Sequence, residues 1–379
     1  MKNVRLLAFK MYSYDTESFV SDILAYSRES IILVFDFEKI ACYHAPESLN
    51  TGFKTRRFIV TRNKLLSKWL TPLRFLANIF CIFSTIFWLI VRFRPQICWM
   101  ENTYAAFITG ILRKLRFTSK TFYLPGDWLA VKKFRNPLAY FGSNILFPLL
   151  DRCACRCNDV VLNHSQAIAE ARYAFWGRRI TNKEALYPYK FKIKVPTATP
   201  SIKRKALCFL GSPRKDSGLD LTISALARLS KTHDFALKVI GPKRQDYERF
   251  KEFASEQGVG SKVDFMGFVK TDELPSVLAD CFCGLNLINN SDSYSSFTIP
   301  GKLVHYFQNL LPVIATSGIG YMAQEIQKAR IGLIIEPDVD ILFNSICSVY
   351  EKQDEFRSNI IDYINAQPEV SMYELIEKS

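Results

Sequence analysis

Short apolar runs alternate with longer amphipathic segments along almost the whole chain, and this alternation decides the fold class before any single residue is considered. Apolar strands separated by helical patterns form parallel sheets covered by helices. In the first half the expected strands are residues 4–9, 31–35, 57–60, 96–100, 121–124 and 160–163, with helices such as 17–26 and 104–115 between most of them. The segment 195–201 carries two prolines and no periodicity, and reads as a linker. A second series follows: strands at 206–210, 235–240, 263–267, 283–288, 312–315 and 332–335, and helices at 219–230, 246–257, 274–279, 301–309, 321–328 and 341–354. The expectation is an α/β protein of two Rossmann-like domains, residues 1–195 and 196–379, facing each other across a cleft lined by the carboxyl ends of both sheets. A chain of 379 residues is long enough for both.

Charge separates the halves. Residues 1–195 hold 30 Lys and Arg against 13 Asp and Glu, whereas residues 196–379 hold 20 against 23, so the whole net charge of +14 comes from the first half. No acid lies between Glu47 and Glu101, while nine cations accumulate from Lys54 to Arg94. A basic face of this kind meets phosphates, of nucleic acid or of an anionic membrane. Its neighbour decides between them: residues 75–91 form an uncharged, mostly apolar stretch of seventeen residues. About 20 are needed to cross a bilayer, and the flanking strands belong to one sheet, so the stretch reads as a helix of the first domain, buried or lying partly in the membrane interface. An anionic membrane surface is therefore the expected partner, and nucleic acid is not. The amino terminus reads as a strand rather than a secretory signal.

Ten cysteines without paired C-x-x-C elements, and only four histidines (His44, His164, His233, His305), argue against structural zinc and fit a reducing cytosol. Cys153, Cys155 and Cys157 alternate and read as one face of an apolar segment, or as core filler. Asp338 and Asp340 have the D-x-D form of a metal–diphosphate site, but they precede a helix and Asp340 reads as its N-cap. No metal is expected.

Two strand-to-helix joints carry the candidate chemistry. After strand 206–210 the chain reads Gly211, then Arg214 and Lys215, then Gly218 at a helix start; backbone N–H groups and two cations there suit a diphosphate, although strand–glycine–helix joints also occur in α/β proteins without that role. After strand 283–288 a long polar loop includes Ser296, Phe297 and Thr298 and ends at Pro300, with Lys302 just inside the next helix, a second candidate anion site beside the plainer reading of a solvated, proline-capped loop. In the first half, Asp127 follows a strand end beside Tyr123 and Trp128, either as a structural loop residue or as the carboxylate that accepts an acceptor's hydroxyl proton.

Residues 211–218, 237–241, 263–269, Leu274, 279–280, 300–306 and 311–315 together resemble the C-terminal domain of retaining glycosyltransferases of family 4; the resemblance covers about residues 205–340, and the first half is similar only in outline, through residues 94–98, 124–127 and 160–165. The resemblance implies the GT-B fold and retaining, metal-independent transfer of a sugar from a nucleotide-sugar donor to a lipid-linked or polysaccharide acceptor in cell-surface polysaccharide biosynthesis, with no cofactor. The charge asymmetry, rather than the resemblance, leads to the expectation of a cytoplasmic protein held peripherally at the inner face of the plasma membrane. By the resemblance, catalytic roles fall on Asp127 and Lys302, and donor binding on Gly211, Arg214, Lys215, Gly218, Gly241, Phe268, Val269, Ser296, Phe297, Thr298, Pro300 and His305. The chain departs from the family pattern in three places. The family's loop Arg and Lys fall on Ser212 and Ser217, leaving Arg214 and Lys215 to supply the charge. Its two glutamates fall on Phe297 and His305, so a ring nitrogen of His305 would grip the donor ribose. Its paired-glycine loop is replaced by residues 11–15. Two alternatives stay open: an epimerase or another GT-B enzyme using water as acceptor, favoured by soluble behaviour with rapid nucleotide-sugar turnover, and a catalytically decayed membrane-binding homologue, favoured by loss of nucleotide affinity.

Overall fold

A computed structural model of the chain describes residues 5–10, 29–36, 39–43, 59–61, 71–126, 128–131, 137–187, 193, 204–214, 216–241, 247–288, 296–297 and 299–367. The chain divides into two compact units, Met1–Tyr189 with Glu369–Ser379, and Lys190–Pro368. The expected helix 17–26 and the linker 195–201 lie outside the described residues, as do Asp127, Lys215 and Thr298.

The first unit is built on an eight-stranded sheet of β1 (Arg5–Lys10), β2 (Glu29–Asp36), β3 (Lys39–Tyr43), β4 (Ile59–Thr61), β5 (Ile97–Met100), β6 (Lys120–Tyr123), β7 (Val160–Asn163) and β8 (Glu184–Leu186), in the order β4-β3-β2-β1-β5-β6-β7-β8. The pairs from β2 through β1 to β8 are parallel, as the alternation requires, but β3 and β4 are antiparallel. Only two residues separate β2 from β3, too few for a crossover, so the chain turns back on itself.

Helix α1 (Thr71–Phe93) carries the long apolar stretch. Ile82, Ile86, Leu89, Ile90 and Phe93 recur at helical spacing and are buried against Leu7, Phe9, Cys98 and Met100 of the sheet. Its other face is apolar too, yet exposed: Phe80, Phe87, Trp88 and Val91 face outward, and the Arg92 guanidinium lies over the Trp88 ring. Among the described residues, no helix is long and apolar enough to cross a membrane. Helix α2 (Thr103–Lys114) starts at Asn102, whose side chain accepts from the backbone of Tyr104 and Ala105. Helix α3 (Phe147–Cys157) contains Cys153, Cys155 and Cys157. Their alternation does not mark one face, because the helical period separates them: Cys155 is buried, Cys157 half-buried and Cys153 exposed.

A buried ionic cluster links the carboxyl ends of β6 and β7 to the start of β8. Arg172 of α4 (Gln166–Trp176) donates from Nε to Asp151 at 2.7 Å and from Nη1 to Glu184 at 2.8 Å and Asn163 at 3.2 Å. Asp151 also accepts from the Tyr123 hydroxyl at 2.7 Å. The guanidinium holds β7 and β8 directly and β6 through Asp151. Arg172→Met leaves Asp151 facing a dry interior, and should lower unfolding free energy by about 3–5 kcal/mol, read from urea denaturation.

The second unit is wholly parallel: β9 (Ala206–Leu210), β10 (Ala236–Ile240), β11 (Val263–Gly267), β12 (Cys281–Asn286), β13 (Val313–Thr316) and β14 (Gly332–Ile335), in the order β11-β10-β9-β12-β13-β14. Helices α5 (Leu219–Leu229), α6 (Tyr247–Glu256), α7 (Leu274–Val277), α8 (Gly301–Gln308), α9 (Tyr321–Ala329), α10 (Val339–Glu351) and α11 (Gln353–Asn365) connect and cover it. The last expected helix, 341–354, is α10, and a further helix, α11, follows it. Strand β12 lies two residues earlier than the expected 283–288. Side chains of β9, β10 and β12 pack with α5, α6 and α10 into one apolar core.

Candidate functional site

In an open parallel sheet, the crevice at the carboxyl ends forms where the strand order reverses. In the second unit that point lies between β9, from which the chain moves outward to β10 and β11, and β12, from which it moves the other way. The residues at these two strand ends are the ones the sequence singles out.

Gly211 follows β9 with φ 126, a conformation side chains rarely adopt. Its N–H donates to Ile240 O at 2.8 Å, and the N–H of Gly241 donates to Gly267 O at 2.8 Å. A Cβ on Gly241 would collide with the carbonyl of Gly211. The edge from β9 to β11 is therefore a staircase of bare backbone, with Phe268 exposed and Val269 half-buried just beyond it. Gly218 holds φ 71 at the start of α5, and a Cβ there would run into Leu287, the residue after β12. The first turn of α5 is thereby pressed onto the switch point.

The loop between these glycines is shaped by Ser217. Its hydroxyl donates to Arg214 O at 2.6 Å and accepts from Arg214 N at 3.2 Å, and the side chain is buried. Where the family pattern has a cation, this chain has a structural tie. Arg214 stays exposed, with Nε 3.3 Å from Asp216.

Helix α8 opens at Gly301 behind Pro300, which occupies the cap position (φ −56, ψ 128) rather than the first helical turn. Lys302 reaches back over the switch point: its ammonium lies 5.6 Å from the Phe209 ring centroid, and a Cβ on Gly211 would sit 4.0 Å from Nζ. Loss of hydration, and then the nearby Arg214, lower its pKa from 10.5 to about 8, against smaller opposing effects of Cys208 and Asp216. Arg214, on the loop after β9, and Lys302, in the first turn of α8, therefore share one electrostatic neighbourhood.

Tyr306, four residues on, fixes this helix. A Cβ on Gly284 of β12 would lie 2.5 Å from the Tyr306 ring, so the ring packs directly on backbone. The buried hydroxyl accepts from Leu210 N at 2.8 Å and lies 3.1 and 3.2 Å from the Leu285 and Cys208 carbonyls. His305 is half-buried on the same helix. Ser296 packs its backbone against Gly320, the residue before α9, with Phe297 half-buried beside it.

Other candidates have structural duties. Asp338, not Asp340, caps α10, accepting from the backbone of Asp340 and Ile341, while Asp340 pairs with Arg228. His164, after β7, is buried and neutral: burial lowers its pKa to about 4, and Nδ1 lies 3.2 Å from Tyr187 O. Trp128, beside Asp127 in sequence, is buried against Phe147 and Phe175.

The first unit has a switch point of its own between β1 and β5. There Glu101 donates its N–H to Phe9 O at 2.9 Å, and its carboxylate accepts from Trp99 Nε1 at 3.1 Å. Sequence reasoning passed over Glu101, although a signal was available: it is the only acid between Glu47 and Asp127.

The comparisons agree with this architecture. Residues 204–352 match the family model of glycosyl transferases group 1. No curated protein matches the chain. Among solved structures, Anabaena HepE in complex with UDP-glucose is similar with a TM-score of 0.67 at 16% identity, over 99% of both chains. Sucrose-phosphate synthase from Thermosynechococcus elongatus is similar with a TM-score of 0.66 at 13% identity, over 96% of this chain and 94% of that one. The lipopolysaccharide outer core galactosyltransferase WaaB gives 0.59 at 14% identity, over 98% of both chains. The fold is that of GT-B glycosyltransferases, two α/β domains on parallel sheets.

A lysine with a lowered pKa costs stability while it is charged. The unfolded chain keeps the ordinary value of 10.5, so the cost is full below about pH 8 and fades as pH rises from 8 toward 10.5. Lys302→Met should therefore be more stable than the wild type at pH 7 and lose that advantage above pH 8, as read from urea midpoints across the range.

Proposed function

We propose that this chain, whose second unit carries a group 1 glycosyltransferase domain, transfers a hexose-type sugar from a nucleotide-sugar donor to a lipid-linked or polysaccharide acceptor, with retention and without a metal. The observation that carries the reading is Lys302 poised over Gly211 at the switch point, with Arg214 close enough to depress its pKa. Two cations and the first turns of two helices suit a diphosphate better than any other common group. Anabaena HepE, of the same fold, is known with UDP-glucose bound.

In the reaction, the bond from the sugar's anomeric carbon to the diphosphate breaks and its electron pair stays on the phosphate oxygen. Lys302, Arg214 and the N–H groups at the starts of α5 and α8 stabilise that growing charge. The acceptor oxygen bonds to the same carbon, and its proton passes to a donor phosphate oxygen. Asp127, read from the sequence, and Glu101, at the first unit's switch point, are the carboxylates assigned to the acceptor. Phe268, Val269, Ser296, Phe297, Thr298 and His305 complete the donor site, His305 toward the ribose.

The test is a thermal-shift screen against UDP, GDP and ADP sugars, followed by turnover of the sugar that stabilises the chain. Lys302→Ala, and Arg214→Ala with Lys215→Ala, should each cut kcat/KM about a hundredfold, roughly 3 kcal/mol of transition-state stabilisation, with circular dichroism unchanged. Activity should persist in excess EDTA. Near-normal turnover in both variants removes the donor-site assignment.

The first unit is proposed to rest on an anionic membrane at the cytoplasmic face, where a lipid-linked acceptor would be found. The supporting features are its positive charge and the exposed apolar face of α1 beside Arg92 and Arg94. Trp88→Ser with Arg92→Glu and Arg94→Glu should reduce sedimentation with anionic vesicles several-fold and leave nucleotide affinity unchanged. High salt should release the wild type. Undiminished sedimentation of the triple variant counts against this surface.

A further inference from the structure

Asn286 ends β12 and is fully buried, yet neither Nδ2 nor Oδ1 has a hydrogen-bond partner; no other described side chain leaves two buried atoms in that state. Buried amides are almost always paired, because an unmet donor or acceptor costs free energy. The position of this one suggests what completes it.

Side chains two apart on a strand share a face, so Asn286 lies on the face where Gly284 carries the Tyr306 ring. Helix α8 runs back over that face from the carboxyl edge, and one turn before Tyr306 it presents Lys302 and Leu303. Two strand residues advance about 6.6 Å and four helical residues about 6 Å, which sets Asn286 beneath the first turn of α8, at Lys302. Its sequence neighbour Leu287 is the residue pressed against Gly218 at the start of α5. Among the described residues, no atom beyond its chain neighbours and its own helix's backbone lies within 4 Å of a Cβ placed on Gly301.

We propose that Asn286 is a donor-specificity residue whose carboxamide takes its two missing hydrogen bonds from a pair of neighbouring hydroxyls on the donor. The inference rests on the donor-site reading above. Chemistry selects the partner: phosphate oxygens at neutral pH mainly accept and would leave Oδ1 unmet, whereas a vicinal diol offers one hydroxyl to accept from Nδ2 and one to donate to Oδ1. Lys302 then holds the diphosphate and Asn286 reads the adjoining hydroxyls. Such a pair exists on a pyranose and on a ribose, and the two sources respond differently in the experiment.

The experiment is calorimetric titration of the full chain and of Asn286→Leu, which fills a similar volume without polar atoms, with inorganic diphosphate, UDP and UDP-glucose, and with GDP and GDP-mannose in parallel. Asn286→Leu should melt no lower than the wild type, having lost two unpaired polar atoms. Inorganic diphosphate should bind both proteins equally. A tenfold or greater loss confined to the nucleotide sugar assigns the diol to the transferred sugar; the same loss for the free nucleoside diphosphate assigns it to the ribose. Equal affinities of both proteins for every probe overturn the proposal, as does an equal loss for all, diphosphate included, which marks a distorted site. A buried water bound permanently at Asn286 predicts one of these two overturning results. If the leucine variant does not fold, Asn286→Asp, which keeps the shape and loses the Nδ2 donor, is put through the same comparison. A wild type that binds no nucleotide overturns the donor-site reading and this inference with it, whereas a wild type that binds beside an indifferent variant overturns only the inference.

Discussion

The hydroxyl of Tyr306 stands where two neighbouring strands cease to serve each other. β9 and β12 are paired in parallel, but their register slips within β12, and at the carboxyl end the N–H of Leu210 turns to the tyrosine instead. A buried backbone donor must be met somewhere. One phenol meets it, approaches two carbonyls, and lays its ring on Gly284. That contact sets the height and direction of α8, and with it the reach of Lys302. Larger side chains at 284 would lift the helix and carry the lysine off Gly211.

Two buried polar groupings, one in each unit, differ in how they are answered. In the first, Arg172, Asp151, Glu184, Asn163 and Tyr123 answer one another, so the charges there consolidate the strand ends. In the second, Lys302 is pushed toward neutrality and Asn286 is left unmet. Natural sequences tolerate such local disfavour chiefly where a ligand relieves it. Both groups belong to the donor site proposed for the second unit, where a ligand would relieve them.

Strands buried on both faces were legible because a continuous apolar run has few other uses: residues 160–163 and 206–210 form strands with the expected bounds. Misreadings came where local pattern was ambiguous. Residues 39–43 mix polar and apolar groups and were invisible as a strand; they pair antiparallel because the link from β2 is short. The alternation of Cys153, Cys155 and Cys157 suggested a strand-like face in what is a helix. Both Asp338 and Asp340 suit a cap, and the choice fell to the one whose carboxylate reaches two free N–H groups. At the site, Gly211, Arg214 and Gly218 were readable because they occupy the short joint after a strand end, and Lys302 because it opens a helix behind a proline. Asn286 and Tyr306 were not, since their roles arise from strand order and from which face a helix covers, and neither is written locally.

The staircase of Gly211, Gly241 and Gly267 bears on how such a site changes over time. Along that edge the proposed donor site is bounded by main chain, and main chain looks the same whatever the sequence. Any side chain on Gly241 collides with the carbonyl next door, and one on Gly211 forces a backbone angle that only glycine holds comfortably. Those positions can hold a shape but cannot be tuned. Divergence in what the crevice accepts is therefore channelled to its borders, to Phe268 and Val269 on one side and to the neighbourhood of α8 on the other. Related chains could share this edge unchanged while differing in the molecules they take, and a mutant library aimed at new donors should leave the glycines alone.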